Sequence, residues 1–140
     1  MASDFHAKCD NKGATITVIR STDGFMFGGF SDKPWTSSNK YCESDKAFLF
    51  FFKIPSNEVG PTKIRTKQNV CSGATYHISS YGPRFGGGLS ELHIDSDSNN
   101  NINSYSNLGI TYEIPPVQTY TFLVGSNYFK VSEIEVFQII

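Results

Sequence analysis

The sequence predicts a mainly β fold: a two-layer antiparallel β-sandwich with one or two short flanking helices. Three observations carry that expectation. About eight short segments read as strands, turn residues punctuate the chain between them, and only one segment has a helical pattern. The side chains fit such a fold, since twelve Phe and seven Tyr among 140 residues supply rings for an interface between two sheets. A chain of this length builds one hydrophobic core, so residues 1–140 are read as a single domain.

The elements follow in chain order. Ser3 or Asp4 is placed to cap a short helix running to Cys9, with Phe5 and Cys9 one turn apart on one face. Asp10-Asn11-Lys12-Gly13 stops it, with Gly13 as the left-handed terminator. Residues 15–20 alternate in β-branched strand sequence, with Ile16, Val18 and Arg20 on one side and Thr15, Thr17 and Ile19 on the other. Ser21-Thr22-Asp23-Gly24 carries the Asp-Gly hairpin signal, and residues 25–30 return as a second strand. Pro34 breaks the chain, and residues 33–45 read as a polar connecting loop that holds Trp35, the single tryptophan. Residues 47–54 form a continuous aromatic run, the pattern of a strand covered on both faces, and Pro55 and Asn57 end it. Residues 63–67 alternate again, and a short strand falls near 75–78. Gly82-Pro83 and Gly86-Gly87-Gly88 punctuate the middle of the chain. Residues 89–94 make another strand, 95–103 a polar Asn/Ser loop, and 119–124 and 129–140 the closing strands.

Charge and hydropathy exclude whole classes of function. A net charge of -1 argues against nucleic acid as the main partner, because phosphate binding needs a basic surface. The longest apolar run, residues 47–52, is too short to cross a bilayer, so no membrane insertion is expected. The opening Met-Ala-Ser-Asp-Phe-His lacks the basic and then apolar layout of a signal peptide, which makes the expected location cytoplasmic. Cys9, Cys42 and Cys71 are odd in number and widely spaced, which fits reduced thiols better than a disulfide framework. Lys8 and Lys12 near Cys9 make it the candidate redox thiol, since a nearby cation favours the thiolate.

No catalytic set assembles from the motifs. The Gly86-Gly87-Gly88 run lacks the Lys-Ser/Thr and following helix of a phosphate cradle, and reads instead as room for a bulge or close backbone approach. Asp95 and Asp97 alternate with serines as in a calcium loop, but Asn100 and Ser106 stand where an EF-hand needs Gly and Glu. They remain weak calcium candidates beside the alternative of a solvated Asx-rich turn. His6, His77 and His93 are scattered, with no nucleophile elbow, metalloprotease helix or Cys pair to orient. No cofactor is implied. Lys63, Arg65 and Lys67 share one face of their strand and form a candidate interaction surface, with a charge-protected edge as the alternative. Glu133 and Glu135 likewise share a face of the last strand and join that surface, with Ile134 and Val136 turned the other way.

Taken in order, these pieces resemble the TLDc domain family. Residues 5–13 followed by Thr15-Ile16-Thr17-Val18-Ile19 are similar to the family's opening helix and strand. Gly24-Phe25-Met26-Phe27-Gly28-Gly29-Phe30 with Pro34-Trp35, then Ala47-Phe48-Leu49-Phe50, match its next pieces. Phe85-Gly86-Gly87-Gly88, Leu92-His93-Ile94-Asp95, residues 104–109, Phe122-Leu123-Val124-Gly125 and Ile134-Glu135-Val136-Phe137 complete the set. The stretch Ser98-Asn99-Asn100-Asn101 is closer to stand-alone protist members than to the animal oxidation-resistance proteins. The family usually begins with a strand upstream of the Phe-His helix, so the domain is read as lacking that strand, with a neighbouring edge open or the chain trimmed.

The resemblance implies a β-sandwich of two antiparallel sheets and a non-catalytic, protein-binding role. It also implies cytoplasmic protection against oxidative damage, and subunits of the vacuolar proton pump as partners to be regulated. Two other functions stand beside it: a ligand- or calcium-binding sandwich using residues 95–103, and a thiol-based antioxidant using the cysteines.

Overall fold

The computed structural model describes residues 1–88 and 90–140. One helix, α1 (Ala2–Cys9), precedes eleven strands: β1 (Thr15–Ser21), β2 (Met26–Ser31), β3 (Lys40–Cys42), β4 (Phe48–Lys53), β5 (Val59–Arg65), β6 (Thr75–His77), β7 (Arg84–Phe85), β8 (Leu92–His93), β9 (Ser104–Ser106), β10 (Tyr128–Phe129) and β11 (Val131–Gln138). They form two sheets, one of five strands in the order β11-β1-β2-β4-β5 and one of six in the order β10-β9-β8-β7-β6-β3. The ladders are antiparallel. The expected mainly β, two-sheet antiparallel architecture with a short helix is what the chain adopts.

The core lies between the sheets. Ile19, Phe27, Leu49, Phe51 and Ile64 enter it from the five-stranded sheet, and Phe85, Leu92 and Phe129 from the other. Trp35 sits at its centre, edge-on to Phe5 and Phe85 at ring distances of 5.5 Å each. Its indole N–H donates to the Thr15 hydroxyl at 3.0 Å, which satisfies the buried donor. Gly29 makes this packing possible: a Cβ there would come within 2.5 Å of the Phe85 ring from the opposite sheet. A glycine on one inner face thus receives an aromatic from the other.

Several boundaries differ from the sequence reading. Helix α1 begins at Ala2 behind Met1, with no side-chain cap from Ser3 or Asp4. It ends at Asp10, whose N–H bonds to the His6 carbonyl, and Asn11 rather than Gly13 takes the first left-handed position, at φ 60. Asn tolerates that region, so the turn comes two residues early. The 33–45 loop contains β3, paired with β6, because alternate partners across the sheet outweigh its polar composition. Residues 119–124 are not a strand. Phe122 N–H bonds to the Thr119 carbonyl, and Gly125 N–H to that of Thr121, so the run closes on itself as turns while Phe122 and Leu123 are still buried. The last expected strand divides at Lys130 into β10 and β11, which belong to different sheets. Leu89, the start of the strand expected over 89–94, lies outside the described residues, and β8 covers Leu92 and His93.

The largest correction concerns residues 47–54. The run reads as covered on both faces, yet within β4 it is Leu49 and Phe51 that point into the sandwich, each 0% exposed, with Ala47 and Ile54 buried at its two ends. Phe48, Phe50 and Phe52 point the other way, away from the second sheet.

Candidate functional site

The outward side of the five-stranded sheet is the surface these aromatics create. Cross-strand partners share a face, so the register reads as rows. One row runs Phe137, Ile16, Phe30, Phe48 and Arg65 from β11 to β5. The next runs Glu135, Val18, Gly28, Phe50 and Lys63. A third begins with Glu133, Arg20 and Met26. The result is an apolar centre with carboxylates along one border and cations along the other.

Its packing is specific. Phe30 and Phe48 stack with centroids 5.0 Å apart, and Phe50 meets Phe52 edge-on at 5.5 Å. The Lys63 ammonium sits 4.3 Å above the Phe48 ring, so the cation lies against the aromatic stripe instead of away from it. Gly28 carries no side chain to interrupt the row, and the Phe50 ring lies within 2.8 Å of where its Cβ would be. Ile16, Val18, Phe48, Phe50, Phe52 and Pro61 line a shallow depression of about 260 Å³. A sandwich normally turns polar residues outward, and an open apolar patch of this kind marks an interaction surface. Phe52 is 38% exposed and Phe137 51%.

Of the five residues read as an interaction surface, four come to this face: Lys63 and Arg65 on β5, Glu133 and Glu135 on β11. Lys67 does not join them. Strand β5 ends at Arg65, and the Lys67 ammonium instead donates to the Gly109 carbonyl. The strand alternation is lost two residues earlier than the charge pattern implies.

The other sequence candidates lie elsewhere and apart. Burial pushes the Cys9 thiol up, and the neighbouring Asp10 charge adds to that, outweighing the lowering by Lys8. This is the reverse of what the sequence position beside two lysines implies, and it disfavours the thiolate a redox role requires. Asp95 accepts from the Asn101 amide at 2.9 Å and Asp97 from that of Asn100 at 2.9 Å, so each carboxylate ties the loop through a different asparagine. Burial opposes ionisation of Asp95, yet the bonds from Asn101 and the Asp97 backbone, with His93 beside it, hold its carboxyl below the usual range. Among the described residues no group of three His, Cys, Asp or Glu side chains converges as a metal site.

The histidines are built into the scaffold. His6 reaches Asp10 through Nδ1 at 2.8 Å and the Ile78 and Tyr81 carbonyls through Nε2 at 2.9 Å each, which anchors α1 to the turn after β6. Both nitrogens of His77 are occupied, Nδ1 by the Thr36 N–H at 3.1 Å and Nε2 by the Thr75 hydroxyl at 2.8 Å. Burial lowers its pKa. His93 stacks on Tyr105 at 4.8 Å and meets Tyr81 edge-on at 4.7 Å. Burial, then the Arg84 guanidinium, brings it from 6.5 to about 4 against the opposing pull of Asp95.

One residue escaped the sequence reading. Glu91 is 0% exposed, and its carboxylate accepts from the backbone N–H groups of Gly109, Ile110, Thr111 and Tyr112 at 2.7–3.1 Å. A buried charge held by four amides is a loop organiser, and the only sequence signal was an acid between Leu89 and Leu92. Gly86 serves the same device: at φ 98, its Cβ would lie 2.3 Å from the Glu91 carboxylate.

No helix among the described residues is long and apolar enough to cross a membrane. A family model described as TLDc domain matches residues 1–140. The chain is similar to the MTOR-associated protein MEAK7 of Gallus gallus, 38% identical over 40 residues, 29% of this chain and 8% of that protein. It is similar to the Danio rerio protein of the same name, 33% identical over 42 residues, 30% of this chain and 9% of that protein. The matched part is therefore under a tenth of the length of these curated relatives.

Proposed function

The chain belongs to the TLDc domain family, and we propose that it is a non-catalytic protein-interaction domain whose partner docks on the outward face of the five-stranded sheet. The observation that carries this reading is the apolar patch of Ile16, Phe30, Phe48, Phe50 and Phe52, flanked by Lys63 and Arg65 on one side and Glu133 and Glu135 on the other. Apolar area supplies affinity, and the opposed charged borders fix the orientation of whatever lies between them. A partner that fits presents an apolar strip with acidic groups toward β5 and basic groups toward β11.

Within that reading the domain works in the cytoplasm, in protection against oxidative damage, and its partners are subunits of the vacuolar proton pump. The family supports this assignment, and the partial similarity to an MTOR-associated protein supports a place in protein assemblies.

The test uses affinity capture from a cytosolic and membrane lysate with the 140-residue chain as bait. The expected result is recovery of proton-pump subunits by the unaltered domain and their loss with Phe52→Asp combined with Lys63→Glu. Both positions are exposed, so the doubly substituted domain retains its melting temperature within a few degrees. Equal recovery by both baits would remove the face from the proposal, and absence of pump subunits with a folded bait would remove the pump.

A further inference from the structure

The six-stranded sheet turns Phe85, Leu92 and Phe129 into the core, so the residues beside them in each strand face outward. Arg84, His93, Tyr105 and Tyr128 follow one another there as cross-strand partners. Tyr128 ends the row on edge strand β10 and is 60% exposed. At this end of the row lies a hollow of about 370 Å³, lined by Ser90, Tyr105, Asn107, Ile110, Asn127 and Tyr128. Small-ligand sites fall in the range of about 300–1,000 Å³.

Hydrogen-bonded backbone holds these residues in place. The Ser106 N–H donates to the Asn127 carbonyl at 2.9 Å, which extends the pairing of β9 with β10 and brings Asn127 beside Asn107. The Ile110 N–H donates to the Glu91 carboxylate at 2.8 Å, so the loop anchored by Glu91 forms another wall. Ser90 is fixed by its own N–H, which donates to the Gly87 carbonyl at 3.1 Å. Its side chain is 5% exposed, and its hydroxyl has no hydrogen-bond partner among the described residues. A buried hydroxyl left unpaired is destabilising, and a ligand hydroxyl in the hollow would complete it. The amides of Asn107 and Asn127 add donors and acceptors at the exposed rim.

We infer that this hollow is a binding site for a small neutral saccharide. No charged side chain lines it among the described residues, so it offers nothing to neutralise an anion or a cation. Arg84, the cation of the row, is engaged by the Tyr76 and Tyr81 rings at 5.2 and 5.0 Å and donates to the Tyr105 hydroxyl at 3.2 Å. A sugar ring presents C–H groups on its face and hydroxyls around its edge. The exposed Tyr128 ring suits the first, and the Ser90 hydroxyl with the two Asn amides suits the second. A planar base fits worse. Tyr105 and Tyr128 meet at 73°, leaving no parallel walls, and His93 already stacks on Tyr105. The site lies on the other sheet from the proposed docking face and does not depend on it.

The experiment titrates the 140-residue chain with glucose, N-acetylglucosamine, maltose and cellobiose, and with adenosine as the competing planar ligand, followed by amide chemical shifts. Sugar concentrations up to about 50 mM detect even millimolar binding. The expected result is saturable binding of at least one sugar, with shifts confined to Asn107, Ile110, Asn127, Tyr128 and their neighbours, and none with adenosine. Tyr128→Ala should lower the affinity about tenfold or more. Ser90→Ala removes a hydroxyl that has no bond in the free protein, so it should weaken sugar binding about two- to tenfold without lowering the melting temperature. Absence of binding by all four sugars, binding undiminished by Tyr128→Ala, or shifts elsewhere would overturn the inference. Saturable binding of adenosine at these residues would overturn it in favour of a base-stacking site. Phe52→Asp should leave sugar binding intact, so failure here and failure of the docking face are separable.

Discussion

Glu91 shows how a single side chain governs a loop that sequence pattern leaves undefined. Its carboxylate holds four consecutive backbone N–H groups from Gly109 to Tyr112, each of which would otherwise need a partner. Glu91→Gln keeps the shape but turns an NH₂ toward donors. We expect a loss of about 3 kcal/mol in urea denaturation, with no change in the far-ultraviolet spectrum of the folded form. His93 makes a complementary prediction. Its pKa falls from 6.5 to about 4 in the folded protein, so the unfolded chain binds the proton more readily between those values. Stability should be constant above pH 6.5 and fall as pH drops toward 4, by on the order of 3 kcal/mol in total from this group. His93→Phe retains the ring contacts with Tyr81 and Tyr105, and should flatten that part of the stability curve.

Elements β2 and β7 illustrate packing across the sandwich. Gly29 on β2 receives the Phe85 ring of β7, which leaves only 2.5 Å between the ring and the point a Cβ would occupy. Gly29→Ala should cost about 1–3 kcal/mol through overpacking, measured by denaturant unfolding. Phe85→Leu should relieve the added methyl, so the double variant should be more stable than the two single losses predict, by about 1 kcal/mol in a double-mutant cycle. Strand positions were largely legible in the chain, because alternation, the Asp-Gly turn and the Pro55/Asn57 stop are local signals. The failures have a common cause. Residues 119–124 have strand-like composition but satisfy their backbone within their own turns, and Lys130 lets one apparent strand pass from sheet to sheet. Neither choice is written in local propensity.

Across the whole molecule, the apolar face of the five-stranded sheet ends at the edge strand β11. Such an edge is a hazard when no partner covers it. Ile134→Lys puts a charge on it at a position that is 37% exposed. Light scattering on heating should show aggregation beginning at a higher temperature than for the unaltered chain. The candidate surface was half legible: Lys63, Arg65, Glu133 and Glu135 were found by alternation along their own strands. That the two pairs border one face required the order β11-β1-β2-β4-β5, since β5 and β11 lie far apart in the chain.

The class of fold was readable from the chain alone, because strand periodicity, turn residues and aromatic content are local properties. So were the lack of a recognisable catalytic motif and the family to which the ordered motifs point. Which side of each strand is covered was settled by the packing of the two sheets. The aromatic run at 47–54 can face a core on both sides or on one, and pattern alone does not distinguish the two. Here a single sheet packs against it, so Phe48, Phe50 and Phe52 are left outward and the run becomes a surface. The same holds for Glu91, whose role depends on amides 18 to 21 residues along the chain that only the fold brings to it.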